Sequence, residues 1–190
     1  MQRTRYLPAA AVVTAMALIL VWAVPVAAQV PTVTVYFDKA LTQDSQDCQG
    51  IGTIDTLYVT AAGLGDFITA IEFSVDYSSV TAFTWLGDMA STPLVIGSSP
   101  TGIALTWQIP QSVFTPLVVV QSTIIWNCND CSGFEAQLLK VVPHPQTGHI
   151  RMVRYPDRTF VDAIGLTSAV CTVFPVETST WGALKALYEP

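Results

Sequence analysis

Charged residues are scarce in this 190-residue sequence, and basic residues are the scarcest of them. Only 12% of the residues are charged, with eight Lys and Arg against fourteen Asp and Glu, for a formal net charge of −6. Two of the eight basic residues, Arg3 and Arg5, lie in the first 28 positions. Nucleic acids and anionic membranes require basic protein surface that offsets phosphate charge. The composition therefore argues against nucleic acid and anionic membrane as partners.

Catalytic and cofactor motifs are also missing. The sequence has no Gly-x-Ser-x-Gly elbow, no His-Glu-x-x-His pair and no glycine-rich phosphate loop. Its two histidines are His144, which lies between Pro143 and Pro145, and His149. We therefore predict no catalytic residue, no cofactor and no metal site, which favours a non-enzymatic module. A secreted hydrolase that uses His144 or His149 is the alternative hypothesis.

A long apolar run occurs once, near the N-terminus. Residues 9–24 are apolar except for Thr14, the run follows Arg3 and Arg5, and it ends at Pro25 before the small residues 26–28. This pattern predicts a signal peptide over residues 1–28, because the run is shorter than the roughly 20 residues that a membrane span needs. We expect an exported protein that is periplasmic, cell-surface or extracellular, with no stable membrane span after cleavage.

Helical periodicity is nearly absent before the last dozen residues, whereas two-residue alternation is frequent. In 71–77 the odd positions are apolar and the even positions polar, as in a strand with one buried face. Glycine-rich turns separate such segments. The pattern predicts an all-β fold, a single antiparallel β-sandwich of about eight strands over residues 29–173. Further strand candidates are 32–37, 57–61, 103–107, 117–126, 134–142 and 149–154.

Four cysteines, Cys48, Cys128, Cys131 and Cys171, predict two disulfides in an exported chain. Cys128 and Cys131, followed by His144 and His149, match the spacing of a two-Cys, two-His zinc finger. The prolines around His144 and Gly148 before His149 exclude the helix that a finger requires, so we expect no zinc. Four cysteines allow three pairings. We favour a cross-turn Cys128–Cys131 bridge, which leaves Cys48 for Cys171.

Tryptophan side chains suggest a second alternative. Exposed indoles stack on sugar rings, so Trp85, Trp107 and Trp126 would suit a carbohydrate-binding module. Trp107, however, continues the buried-face alternation of its strand, and large aromatic side chains usually fill sandwich interiors. We expect core packing for Trp107 and Trp126. The partner expected is then another envelope or extracellular protein, with a glycan as the alternative.

The last segment, 174–190, consists of an extended lead-in and a short amphipathic tail. Trp181, Leu184, Leu187 and Tyr188 share one helical face by their three- and four-residue spacing. A helix of about two turns is unstable alone in water, so the tail needs a surface to dock on. Two roles remain open. The tail either covers an edge of the sandwich or is bound by another protein as a sorting signal.

The tail 179–188 resembles the ending of a group of exported proteins of environmental bacteria that close on Thr-Trp-Gly-x-x-Lys-x-Leu-Tyr. The segments 96–104, 142–145 and 154–157 are similar to the same group, from which no activity follows. The stretch from Gly65-Asp66-Phe67 to Tyr77 resembles the early strands of cohesin-type sandwiches, although Ser78-Ser79 replaces their Asp-Pro turn. This second resemblance implies a β-sandwich fold.

Overall fold

The computed structural model describes residues 30–172, and every regular element in that range is a β-strand. The predicted signal peptide (1–28) and tail (174–190) lie outside the described residues. Within residues 30–172, no helix is long and apolar enough to cross a membrane. The thirteen strands are β1 (Thr32–Tyr36), β2 (Ser45–Gln46), β3 (Ile54–Ala62), β4 (Phe67–Asp76), β5 (Phe83–Ala90), β6 (Leu94–Ser98), β7 (Gly102–Ser112), β8 (Leu117–Trp126), β9 (Gln137–Val142), β10 (Arg151–Tyr155), β11 (Phe160–Asp162), β12 (Ile164–Gly165) and β13 (Thr167–Val170).

The strands form two sheets that pack face to face. The first sheet has the order β12-β1-β3-β8-β5. The second has the order β11-β10-β4-β9-β13-β2. Strand β7 pairs with the edge of β4 opposite β10, and β6 pairs with the outer edge of β7. Strand β4 is thus the centre of the second sheet. The predicted β-sandwich is confirmed.

The alternating pattern explains why the sheets close on each other. Inward-facing side chains of β4, such as Ile71 and Phe73, meet the inward-facing side chains of β3 and β8 in one core. Burial of apolar area supplies most of the driving force for such a sandwich. The largest fully buried side chains include Trp126, Phe73, Leu57, Ile68, Ile103, Leu105, Ile124 and Met152.

The structure corrects two parts of the predicted fold, the number of strands and their purely antiparallel arrangement. The structure has thirteen strands rather than about eight, and two pairings, β1 with β12 and β13 with β2, are parallel. Strands of two to four residues are too short to show alternation in a sequence. Two longer strands, β5 and β6, were also missed. A bulge between Trp85 and Gly87 interrupts the period of β5, and β6 is exposed on both faces, so it has no alternation to detect.

The prediction of two disulfides is confirmed, but the predicted pairing is wrong. The structure joins Cys48 to Cys128 and Cys131 to Cys171. The loop after β8 lies against the loop after β2, where Asn129 Oδ1 accepts a hydrogen bond of 3.2 Å from the Ile51 amide. Cys128 and Cys131 therefore meet separate partners instead of each other.

Both bridges connect the first sheet to the second, because β8 belongs to the first and β2 and β13 belong to the second. They close segments of 80 and 40 residues. By the loop-entropy relation, each contributes about 4 kcal/mol to the free energy of unfolding.

Candidate functional site

Strand β4 places small and charged residues on the outer face of the second sheet. Because Ile71 and Phe73 point into the core, Ala70 and Glu72 point outward. Glu72 stands opposite Ala104 of β7 on one side and Arg151 of β10 on the other. Sheet pairing therefore brings residues from distant parts of the chain to one surface.

The pairing extends across five neighbouring strands and aligns their outward side chains in two rows of five residues. We call the ten residues of these two rows the docking face. From β6 to β11, the first row is Ile96, Ala104, Glu72, Arg151 and Asp162, and the second row is Leu94, Thr106, Ala70, Val153 and Phe160.

The docking face has a shallow groove across the strands. Ala70 and Ala104 form its floor, because their side chains are short. Phe160, whose exposed fraction is 68%, borders it on β11, and Ile96, at 79%, lies beyond its other end on β6. The groove crosses β7, β4, β10 and β11, and at about 4.8 Å spacing these four strands make it about 14 Å long. Exposed apolar residues that line a groove indicate a binding surface more than scattered ones do.

Two of the three charged residues on the docking face, Glu72 and Arg151, neutralise each other, and the third, Asp162, lies 3.4 Å from His149 outside the face. Arg151 Nε donates to Glu72 Oε1 at 2.9 Å, and Arg151 Nη2 lies 2.8 Å from the same oxygen. Thr147 Oγ1 also donates to Glu72 Oε1 at 2.9 Å. The Arg151 guanidinium lies 5.1 Å from the centre of the Phe160 ring, a cation–π distance. The face thus presents an internally paired polar strip beside an apolar one.

The side of the docking face formed by β6 and β7 contains no charge at all. From position 89 to position 129 the chain has no Asp, Glu, Lys, Arg or His, a run of 41 residues. Strand β8, within this run, is covered on both sides by neighbouring strands, whereas β6 is exposed. Depletion of charge is characteristic of the buried centre of a protein interface.

A polar network holds the β6–β7 turn against the first sheet. Asp88 of β5 accepts hydrogen bonds from the Ser99 amide (2.5 Å), Ser99 Oγ (2.9 Å), Ser122 Oγ (2.6 Å) and Trp85 Nε1 (3.0 Å). The Tyr77 hydroxyl lies 3.1 Å from Ser99 Oγ and 3.3 Å from Ser122 Oγ. Burial raises the pKa of Tyr77 to about 12, although both serine hydrogen bonds act to lower it. The network fixes one side of the docking face.

The two histidines lie apart from the docking-face groove. His144 is buried, and its Nδ1 accepts a 3.3 Å hydrogen bond from the Gln146 amide. It packs under the β6–β7 turn at Gly102, where φ is +99° and an added Cβ would lie 2.8 Å from His144 Nε2. His149 is half-exposed, with Nδ1 3.4 Å from Asp162. This geometry gives His144 a packing role.

The indoles within residues 30–172 do not form a sugar-stacking platform. Trp126 is fully buried and Trp107 is buried, as predicted for both, and Trp85 is half-buried with its Nε1 bound to Asp88. A carbohydrate-binding surface of the kind considered above needs two exposed coplanar indoles. Trp107 and Trp126 belong to the core instead.

The remaining predicted positions fall into two groups. Cys128 and Cys131, whose spacing matched a zinc finger, are both engaged in disulfides with other cysteines. The tail residues Trp181, Leu184, Leu187 and Tyr188 lie outside the described residues, and their docking or sorting role stays a prediction.

The docking face cannot be recognised from the sequence alone, although part of its signal is present there. Alternation in 71–77 and 103–107 places Glu72, Ala104 and Thr106 on outward faces. It cannot show that Arg151, 79 residues after Glu72, completes the row, because that depends on strand register. The uncharged run from position 89 was the one further signal available.

Comparison with known proteins finds similarity to solved cohesin structures, at TM-scores below 0.5 and at 16% identity or less. No protein-family model matches this sequence, and no curated protein does. Among solved structures, the chain is similar to a type I cohesin–dockerin complex from Clostridium thermocellum (12% identity, TM-score 0.48, covering 75% of this chain and 92% of that one). It is also similar to the seventh ScaB type I cohesin from Pseudobacteroides cellulosolvens (12% identity, TM-score 0.47, 74% and 90%). CaCohA2 from Clostridium acetobutylicum gives 16% identity and a TM-score of 0.45, covering 75% and 90%.

Proposed function

We propose that this chain is an exported protein-binding module whose docking face accepts an amphipathic helix of another extracellular or envelope protein. The observation that carries the proposal is the docking face itself, which has an exposed groove across four of its five strands, short residues on the groove floor, and Glu72 paired with Arg151. The proposed module spans residues 29–173.

Export is supported by the N-terminal pattern over 1–28 and by the two disulfides. Disulfides form and persist in oxidising compartments outside the cytoplasm. Two bridges between the sheets also keep the sandwich rigid. A rigid scaffold binds a partner without the entropy loss of ordering a flexible surface.

The dimensions of the groove favour a helix as the bound element. The docking-face rows run across the strands at about 4.8 Å per strand, close to the 5.4 Å rise of one helical turn. A helix laid along the groove can therefore place one apolar side chain over each strand. About 13 residues span the roughly 19 Å from β6 to β11.

The chemistry of the docking face also favours an apolar ridge over a glycan or a nucleic acid. Leu94, Ala70 and Val153 offer apolar contact, whereas Glu72 and Arg151 satisfy each other. A nucleic acid needs unpaired basic groups. A helix that contacts the second row with aliphatic side chains leaves the paired strip of the first row at the solvent-exposed rim.

The experiment uses the mature chain, residues 29–190 with its disulfides formed, as bait for the exported proteins of the source cells. The retained protein is identified, and its dissociation constant is measured by titration. Ala104→Arg and Val153→Arg block the floor of the groove, and Ile51→Arg is the matched control on an exposed residue outside the docking face (66% exposed).

We expect each groove variant to weaken binding at least tenfold, about 1.4 kcal/mol or more, because a long charged side chain fills the groove. Ile51→Arg should change it less than twofold. Equal affinity of wild type and both groove variants, with unchanged melting temperatures, would show that the docking face is not the binding surface.

A further inference from the structure

We propose that β6 is a dimerisation edge, at which two copies of this chain pair their β6 strands antiparallel about a two-fold axis. Among residues 30–172, strand β6 pairs with β7 on one side only. Its other side carries backbone N–H and C=O groups that another strand can satisfy. Such an edge is a template for strand addition.

Strand β6 lacks the features that protect the other edge strands within residues 30–172. Strand β5 has a bulge between Trp85 and Gly87 and carries Asp88. Strand β11 has three residues and ends at Asp162, and β2 and β12 have two residues each. Bulges, charges and short length are the usual protections against edge pairing.

By contrast, β6 has five residues, Leu94–Ser98, with no charge, no proline and no register shift against β7. Leu94, Val95 and Ile96 have exposed fractions of 47%, 41% and 79%. Such residues are costly to leave in water and favourable to bury against an apolar strand.

Charge distribution favours a second copy as the occupant of this edge. The full chain has a net charge of −6, so two copies repel each other over most of their surface. The edge at β6 lies inside the uncharged run from position 89 to position 129. Asp88, the acidic residue that precedes this run, is bound to Ser99, Ser122 and Trp85. Copies of this chain can therefore approach at β6 without opposing like charges.

A two-fold axis through the middle of β6 sets the register. It places Ile96 beside Ile96 of the second copy on the same face, and Leu94 beside Ser98 of the second copy. Cross-strand aliphatic pairs of this kind stabilise an antiparallel ladder. The second sheets of the two copies then form one continuous sheet, with a docking face on each half.

The dimer does not depend on the proposed helix-binding function. Ala104 and Val153, which test the docking-face groove, lie on β7 and β10 rather than on the free edge. Loss of partner binding in Ala104→Arg and Val153→Arg, with an intact dimer, separates the two proposals.

The test is sedimentation equilibrium of the mature chain from about 5 to about 500 µM. A five-residue strand pairing buries little area, so we expect a dimer with a dissociation constant on the order of 10–100 µM. Ile96→Asp and Ile96→Lys are measured separately and then as an equimolar mixture. Ile51→Asp is the control, and melting temperatures confirm folding.

Each Ile96 variant alone should dimerise at least tenfold more weakly, because like charges then face each other across the axis. The mixture should recover to within threefold of the wild type, since the Asp and Lys side chains now oppose each other. Ile51→Asp should behave as wild type. A wild type that stays monomeric to 500 µM, or a mixture that does not recover, overturns the proposal.

Discussion

Asp88 is the residue on which the position of the β6–β7 turn depends. Its carboxylate accepts four hydrogen bonds, two from Ser99 and one each from Ser122 and Trp85. Asp88→Ala leaves these donors unpaired at the junction of the two sheets. We expect the free energy of unfolding to fall by about 2–4 kcal/mol in chemical denaturation.

The control is Asp157→Ala, because the Asp157 carboxylate bonds only to Thr159 in an exposed loop among the described residues. Asp157→Ala should lower the free energy of unfolding by less than about 1 kcal/mol. A similar loss in both variants would contradict the role given to Asp88.

Ionisation of Tyr77 is expected to lower the stability of the folded protein at alkaline pH. Its pKa is about 12 in the folded protein, mainly because of burial, against about 10 when it is exposed in the unfolded chain. The neutral phenol is thus favoured by folding, and its contribution is complete below pH 10 and disappears as the pH rises to 12. The free energy of unfolding is expected to fall by roughly 2–3 kcal/mol between pH 10 and pH 12.

Urea denaturation at pH 9.5, 11 and 12 measures this loss. Tyr77→Phe should be less stable than wild type at pH 9.5, because it lacks the hydroxyl hydrogen bonds, and should lose less stability from pH 9.5 to 12. Parallel curves for the two proteins would show that Tyr77 does not set the alkaline limit.

At the level of single residues, alternation predicted burial well and partners poorly. Trp107, Trp126, Ile71 and Phe73 are buried as their periodicity predicts. Nothing local to Asp88 indicates that it meets Ser122 from a neighbouring strand, because that contact depends on register. The burial of His144 was missed for a related reason. The β6–β7 turn that covers it comes about 40 residues earlier in the chain.

Among the elements, the C-terminal tail is the one whose role is still a prediction. The two sheets of residues 30–172 cover each other's inner faces without it. We therefore expect deletion of 179–190 to change the melting temperature by less than about 2 °C and to move the protein to a different cellular fraction. Thermal denaturation and fractionation check this. A melting temperature several degrees lower, with unchanged location, would instead assign the tail as a docked cover.

Whether a strand could be predicted from sequence depended on how its two faces are buried. Strand β8 was predicted with its observed bounds, Leu117–Trp126, because seven of its ten residues are apolar, in the two runs 117–120 and 124–126. Strand β6 was missed because neither of its faces is buried. The edge strand that matters most for assembly is therefore the kind of element that hydrophobic periodicity cannot find.

For the whole molecule, the disulfides determine how the two sheets are joined. We expect the oxidised protein to contain no free thiol, with Cys48 joined to Cys128 and Cys131 to Cys171. Cleavage before Asp130 separates Cys128 from Cys131, so mass spectrometry of the unreduced digest distinguishes the pairings. A peptide that links Cys48 to Cys171, the pairing that spacing favoured, would contradict the structure. The spacing led to the wrong pairing because Cys128 and Cys131 are close in sequence. In the fold their partners follow two different strands, β2 and β13.

The central claim is that the docking face is where this protein meets its partner. Hydrogen–deuterium exchange of the mature chain, at one concentration with and without the captured partner, tests it most directly. We expect slower exchange in 94–106 and 151–162, which carry most of the docking face, and no change in 54–62. Protection confined to the first sheet, with 94–106 and 151–162 unchanged, would contradict the claim.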